Sequence, residues 1–274
     1  MDPKTALLSD VHGNSPALRA VLADIRTQGC EQIFYLGDVV NGLDPQGCVD
    51  LLRASGAQIC IRGNAEQYLC TADLDTLPGQ DDPDNRAVIA FIRWVQARLD
   101  ASSLAWIGAM PDWAEIGGMF LAHDHPLDRL FRARWQVPGV AEAHQDWLFH
   151  SRGIPADLPE SEWADLLTWM DSRGCRSVWV GHTHEPFIRR FGPRLICNVG
   201  SAGIPLDGDP RPSWVFWQDG MAEIRRVDYP IAEILALGEA TPDFPMFAGQ
   251  GRKAAYLKWL QTGVHWRVHL NPEG

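Results

Sequence analysis

Thr5-Ala6-Leu7-Leu8-Ser9-Asp10-Val11-His12-Gly13-Asn14 is a short apolar run that breaks off into an acid, a histidine and a glycine. So brief a run, bounded by turn residues, reads as a strand over Thr5–Ser9. Behind it, Ser15–Arg26 carries Leu18, Val21, Leu22 and Ile25 at helical spacing. Gln32–Leu36 repeats the strand pattern, Gln46–Ala54 reads as a helix ending near Gly56, and Gln58–Arg62 as a third strand. The order β-α-β-α-β marks an open α/β sheet with crossover helices.

The ending of the first strand recurs along the chain. Phe34-Tyr35-Leu36 runs into Gly37-Asp38, Cys60-Ile61-Arg62 into Gly63-Asn64, and Phe120-Leu121-Ala122 into His123. Val178-Trp179-Val180 runs into Gly181-His182-Thr183-His184. Open α/β sheets bind ligands outside the carboxyl ends of their strands, so the five endings are expected to converge on one crevice. Asp10/His12 and His182/His184 are i, i+2 pairs, which in extended chain project from one face and can chelate together. Gly37, Gly63 and Gly181 are expected to supply the sharp turns that aim the next side chain. A lone histidine at a strand end is ordinarily a hydrogen-bonded structural residue, and Gly-Asp is ordinarily a turn. The joint occurrence carries the inference.

The rest of the chain is read more coarsely. Leu77–Asp84 is a loop rich in Pro, Gly and Asp, followed by an amphipathic helix over Asn85–Leu99. Gly117-Gly118 turns a hairpin between Trp113–Ile116 and Met119–Ala122. His125–Ser161 lacks periodicity and is expected to be an inserted cap or long active-site loop. A helix over Ser161–Arg173 precedes strands at Ser177–Val180, Phe187–Phe191, Leu195–Asn198, Trp214–Gln218 and Met221–Val227. Helices at Ile231–Leu237 and Ala254–Gln261 follow.

Composition narrows the class. With 274 residues, 46% apolar and 22% charged, the chain is an ordinary globular protein with ample length for a large core. No stretch approaches the roughly 18 apolar residues of a membrane span. The N-terminal run is too briefly apolar for a secretory signal. Six scattered cysteines without a CxxC pair read as reduced thiols, and together these features lead to the expectation of a cytoplasmic protein. The net charge of −11 argues against long nucleic acid as a partner. It leaves room for a small phosphorylated substrate, because bound cations supply positive charge locally.

In its Asp-x-His, Gly-Asp, Gly-Asn, single His and Gly-His-x-His blocks, in that order, the chain resembles the calcineurin-like metallophosphoesterases, and most nearly their compact bacterial and archaeal phosphodiesterase and phosphatase branch. Further similarity lies in Ser9–Ala20, Leu36–Asp50 and Asn198–Gly203, and spans about residues 5 to 217. The resemblance implies a two-sheet α/β sandwich with flanking helices, one domain over 1–274 with 125–161 as the insertion. It also implies two divalent metal ions, one held by Asp10, His12 and His184, the other by Asn64, His123 and His182, with Asp38 bridging. All these donors are N or O, which suits Mn, Fe, Zn, Co or Ni. Paired ions lower the pKa of a bridging water, which serves as nucleophile, and clamp phosphate oxygens. The expected activity is hydrolysis of a P–O bond in a small phosphodiester or phosphomonoester. A dinucleoside polyphosphate hydrolase, a nuclease and a non-catalytic protein-binding scaffold of the same fold are the rivals.

Several residues carry two readings. Asn14 either contacts substrate phosphate or caps the helix that opens at Ser15. Asn198 and Ser201 either support the metal ligands or shape a turn. Arg129, Arg132 and Arg134 either cradle a second phosphate or form a solvated loop cluster. Where many phosphatases of the family place a leaving-group acid after Gly-Asn, this chain has Ala65, then Glu66. His125 is the candidate substitute acid, its alternative being an ordinary loop residue facing solvent.

Overall fold

The computed structural model describes residues 2–70, 74–76, 81–128 and 152–270. In chain order the elements begin β1 (Thr5–Leu8), α1 (Ser15–Thr27), β2 (Gln32–Tyr35), α2 (Pro45–Ala54), β3 (Ile59–Cys60) and α3 (Asn64–Leu69). Next come α4 (Pro83–Gln96), α5 (Ala101–Gly108), β4 (Trp113–Ile116), β5 (Met119–Ala122), α6 (Glu160–Arg173) and β6 (Ser177–Val180). β7 (Phe187–Phe191), β8 (Arg194–Asn198), β9 (Ser213–Gln218), β10 (Met221–Arg226), α7 (Ile231–Ala240) and α8 (Arg252–Thr262) complete the series.

The strands form two five-stranded sheets, ordered β10-β9-β1-β2-β3 and β4-β5-β6-β8-β7. β1, β2 and β3 are parallel, as are β5, β6 and β8, while β4, β7, β9 and β10 join antiparallel. Both faces of each sheet are covered, which is why its central strands read as unbroken apolar runs. The alternation is strict. Leu7 and Phe34 point between the sheets with Leu121, Trp179 and Cys197, while Ala6, Leu8, Ile33 and Tyr35 face the helices outside the first sheet. Phe120, Ala122, Val178 and Val180 face α6 through Trp163, Leu166 and Met170. The result is a helix–sheet–sheet–helix sandwich. The C-terminal segment belongs to the same body, since Ile234, Phe244, Tyr256 and Trp259 share the core of Leu18 and Leu43.

Local chemistry sets the helix starts. Asn14 caps α1 through Ala17 N–H, and Asp44 caps α2 through Gly47 N–H. Two helices, α3 and α5, were not expected from the sequence; α3 is only six residues long and too short to show a period. The third strand pairs over Ile59–Cys60 alone, because at Arg62 the backbone N–H turns away to Pro111 O. The inserted segment has residues 129–151 outside the described region. Its two ends meet where His125 N–H donates to Arg152 O at 2.9 Å and Arg152 N–H donates to Asp128 Oδ2 at 3.1 Å. No disulfide joins any of the six cysteines, and no described helix is long and apolar enough to cross a membrane.

Candidate metal centre

The parallel strands of both sheets end at one pole, and the residues just beyond them carry the candidate ligands. These residues are not extended, contrary to the i, i+2 expectation. Asp10, His12, Asp38, His182 and His184 all have left-handed backbone, at φ 55°, 46°, 63°, 71° and 61°. Among the described non-glycine residues only Asp219, in the β9–β10 turn, shares that conformation. Such backbone costs of the order of 1 kcal/mol or more per residue and persists where the surroundings over-determine it. Here the cross-strand bonds Asp10 N–H to Gly37 O, His12 N–H to Asp38 O and Gly13 N–H to Val39 O hold the first two endings together.

The glycines act differently from the expected turn-making. Gly37 does have φ 104°. A Cβ on Gly63, however, would fall inside contact distance of Asp38 Oδ1, and one on Gly181 inside that of Asp10 Oδ2 and Ser9 Oγ. They leave space for the two carboxylates.

Each carboxylate has one oxygen anchored by backbone and the other aimed at histidines. Asp10 Oδ2 accepts His182 N–H at 2.9 Å, and Asp38 Oδ1 accepts Ala65 N–H at 2.8 Å. Asp10 Oδ1 lies 3.2 Å from His184 Nε2 and 3.6 Å from His12 Nε2. Asp38 Oδ2 sits 3.5 Å from His12 Nε2 and 3.4 Å from His123 Nε2, between the two halves of the site. In the second half Asn64 Oδ1 faces His123 Nε2 at 3.0 Å and His182 Nδ1 at 2.9 Å. His123 Nδ1 lies against Leu36 O and His184 Nδ1 against Ile204 O, both at 2.8 Å. Those bonds place a proton on Nδ1 and turn the Nε2 lone pair inward.

Lone pairs crowded in this way need a cation. Asp10 Oδ1 is buried and has no hydrogen-bond partner among the described residues. Asp10, His12 and His184, and likewise Asp10, Asp38 and His123, bring their donor atoms within 4.8 Å of one another. Protonation of His123 answers the same demand: burial opposes its charge, but Asp38 and Asp10 raise it to about 10. Burial and the charge on His123 push His182 down to about 4. Burial raises Asp10, yet His184 and His123 hold it well below the carboxylate range. The donor set is the one expected of a divalent transition metal site.

Beneath the ligands lies a residue that sequence reasoning passed over. Glu66 is fully buried, and its carboxylate accepts the backbone N–H groups of Asp38 at 2.7 Å, Val39 at 2.8 Å and Gly63 at 2.9 Å. It ties the second and third strand endings to each other. The only signal for it was an acid placed two residues after Asn64. Ser201 and Asn198 take the supporting role of their two readings. Ser201 Oγ–H donates to Asp10 O at 2.6 Å and Oγ accepts Ile204 N–H, so it shapes the turn as well. Asn198 donates to Gly181 O and Thr183 Oγ1 and accepts Gly200 N–H, bracing the loop that holds His182 and His184.

Other candidates fare differently. The Asn14 side chain is occupied by the α1 cap, by Gly203 O at 2.7 Å and by Tyr229 Oη; contact with a substrate phosphate would require breaking these. His125 is 1% exposed rather than a solvent-facing loop residue. Its Nδ1 accepts Leu127 N–H, its buried Nε2 has no partner among the described residues, and burial lowers its pKa. Ala65 is fully buried in the helix-side core, so the position expected to hold an acid does not open on the site. Arg129, Arg132 and Arg134 lie outside the described residues.

Comparison with known proteins agrees with this geometry. Residues 4–218 match the family model of the calcineurin-like phosphoesterase superfamily domain. The chain is 27% identical over 246 residues to the uncharacterized protein MJ0912 of Methanocaldococcus jannaschii, covering 82% of this chain and 88% of that protein. It is 24% identical over 247 residues to the phosphodiesterase YfcE of Escherichia coli K12, covering 85% and 98%. The fold is shared with a metallophosphoesterase of Sphaerobacter thermophilus, at a TM-score of 0.68 and 23% identity over 96% of this chain and all of that one. The strand-end constellation and the match over residues 4–218 together establish that the chain belongs to the calcineurin-like phosphoesterase superfamily, hydrolases of phosphoester bonds.

Proposed function

We propose that this protein hydrolyses a P–O bond of a small phosphorylated molecule, a phosphodiester or phosphomonoester, at a centre of two divalent ions. The observation that carries the reading is Asp38 Oδ2, set between His12 on one side and His123 on the other. Asp10, His12 and His184 would hold one ion, Asn64, His123 and His182 the other, and Asp38 both. When bound, such ions act as Lewis acids toward phosphoryl oxygens and acidify water. The chain's own part is placement. Leu36 O and Ile204 O lock the tautomers of His123 and His184, and Glu66 and Ala65 N–H hold Asp38 in register. The similarity to a protein named as a phosphodiesterase supports diesters within this class.

Ala65 has no proton to give and His125 is buried, so neither stands ready to protonate a leaving oxygen. A positioned acid contributes about 10²–10⁴-fold where the leaving group is basic. The enzyme is therefore expected to favour aryl or phosphate leaving groups over simple alkoxides. The test is a screen of protein reconstituted with Mn, Fe, Zn, Co or Ni. Its substrates are bis(4-nitrophenyl) phosphate, 4-nitrophenyl phosphate, the dialkyl and monoalkyl phosphates that correspond to them, and a dinucleoside polyphosphate. Turnover of an aryl diester above its alkyl counterpart is expected. Turnover of none with any metal would favour a scaffold, and anhydride cleavage alone would move the activity to polyphosphates.

A further inference from the structure

At the pole opposite the metal centre, where the parallel strands of both sheets begin, a cavity of about 510 Å³ opens between the sheets. Phe34, Met119, Leu195 and Trp217 supply apolar wall, and Arg176 and Arg190 supply charge. The volume suits a small organic ligand. The two arginines lack anionic partners among the described residues. Arg190's neighbours Arg189 and Arg194 pair with Glu160 and Asp171. Arg176 and Arg190, by contrast, have no carboxylate within 4 Å among the described residues. Arg176 donates to Gly117 O at 3.0 Å and Arg190 to Gly220 O at 2.5 Å, backbone carbonyls that leave most of each guanidinium's five donors free. Acids outnumber bases by 35 to 24 in the whole chain, yet none of them is spent on these two guanidiniums among the described residues. Asp2, also in the lining, offsets one of the two charges.

We infer that this cavity is a second binding site, for a small organic anion with a carboxylate or phosphate head on an apolar body. The planar forks of Arg176 and Arg190 match such a head two bonds at a time, and the residual single positive charge suits a monoanion. The body lies against Trp217 and Leu195. The site shares no residue with the metal centre, although β2, β6 and β8 run from one to the other.

The test is calorimetric titration of the full chain with 1-naphthoate, which nothing can hydrolyse, beside 1-naphthol, which keeps the body and lacks the charge. Saturable one-to-one binding of naphthoate is expected, with naphthol at least about tenfold weaker. Both arginines are exposed, so Arg176→Gln and Arg190→Gln should fold normally, keep phosphoesterase activity, and each weaken naphthoate about tenfold. Asp38→Asn should leave naphthoate binding intact. Repeating the titration of that variant with 1-naphthylmethylphosphonate identifies the head: tighter binding than naphthoate assigns a phosphate, weaker binding a carboxylate. The inference is overturned by an absence of saturable binding, by naphthol binding as well as naphthoate, by indifference to both arginine substitutions, or by loss of binding in Asp38→Asn.

Discussion

At the scale of single residues, Asp38 and Glu66 form a stack in which one carboxylate holds the backbone that presents the other. Asp38→Asn keeps an acceptor for Ala65 N–H but removes the charge shared by His12 and His123. Metal content measured by elemental analysis should fall by at least one ion per chain, and hydrolysis by at least about 10²-fold, with circular dichroism unchanged. Full metal content with near-normal turnover would remove Asp38 from its bridging role. Glu66→Gln acts one layer down. An amide nitrogen facing a backbone N–H leaves at least one of three buried donors unsatisfied, at a cost of about 1–3 kcal/mol. Denaturant titration should show that loss together with weaker metal binding, since the three N–H groups belong to Asp38, its neighbour Val39 and Gly63, which packs against the Asp38 carboxylate. A variant of wild-type stability and metal affinity would make Glu66 a bystander.

At the scale of elements, the strand-end loops combine two costs, left-handed ligands and glycines that must stay bare. Gly181→Ala places a methyl group against Asp10 Oδ2 and Ser9 Oγ, both buried among packed neighbours. Asp10 must shift, and a displacement near 1 Å at a reacting centre costs about 10²-fold in rate. We expect kcat to fall on that order while β6 still pairs with β5 and β8, checked by kinetics beside thermal unfolding. Global unfolding of Gly181→Ala would mean the glycine serves the sandwich rather than the carboxylate. Gly174, a left-handed cap with nothing within 4 Å of its missing Cβ, is a control element, because substitution there meets backbone strain and no ligand.

At the scale of the whole molecule, the candidate metal centre joins both sheets, with Asp10 and Asp38 from one and His123, His182 and His184 from the other. Ions bound only by the folded protein stabilise it by about 2.7 kcal/mol at a hundred times the dissociation constant. For a domain of this size that amounts to roughly 5–10 °C in Tm. Chelation should lower Tm by that amount, readable by differential scanning calorimetry, and added divalent ion should restore it. A Tm indifferent to both treatments would show that the folded sandwich does not take up the ions.

Much of this was legible before any coordinates. Two-faced apolar runs such as Val178-Trp179-Val180 declare buried parallel strands, because alternate side chains face a sheet and a helix layer and both must be apolar. The ligand types were legible too, since each stands next to its strand in the chain. What remained for tertiary structure were relations between distant segments. His182 N–H reaches Asp10 across 172 positions, and Glu66 takes N–H groups from 27 and 28 positions away. Gly63 and Gly181 looked like turns until the carboxylates of other loops were seen to fill the missing Cβ positions. His125 read either as an acid or as a loop residue facing solvent until packing buried it. The sequence by itself determined which strands exist and which donors end them, because periodicity and adjacency are local. Only the folded chain decided which donors meet, which side chains hold them and which are buried, because those outcomes depend on close packing between residues that the linear order keeps apart.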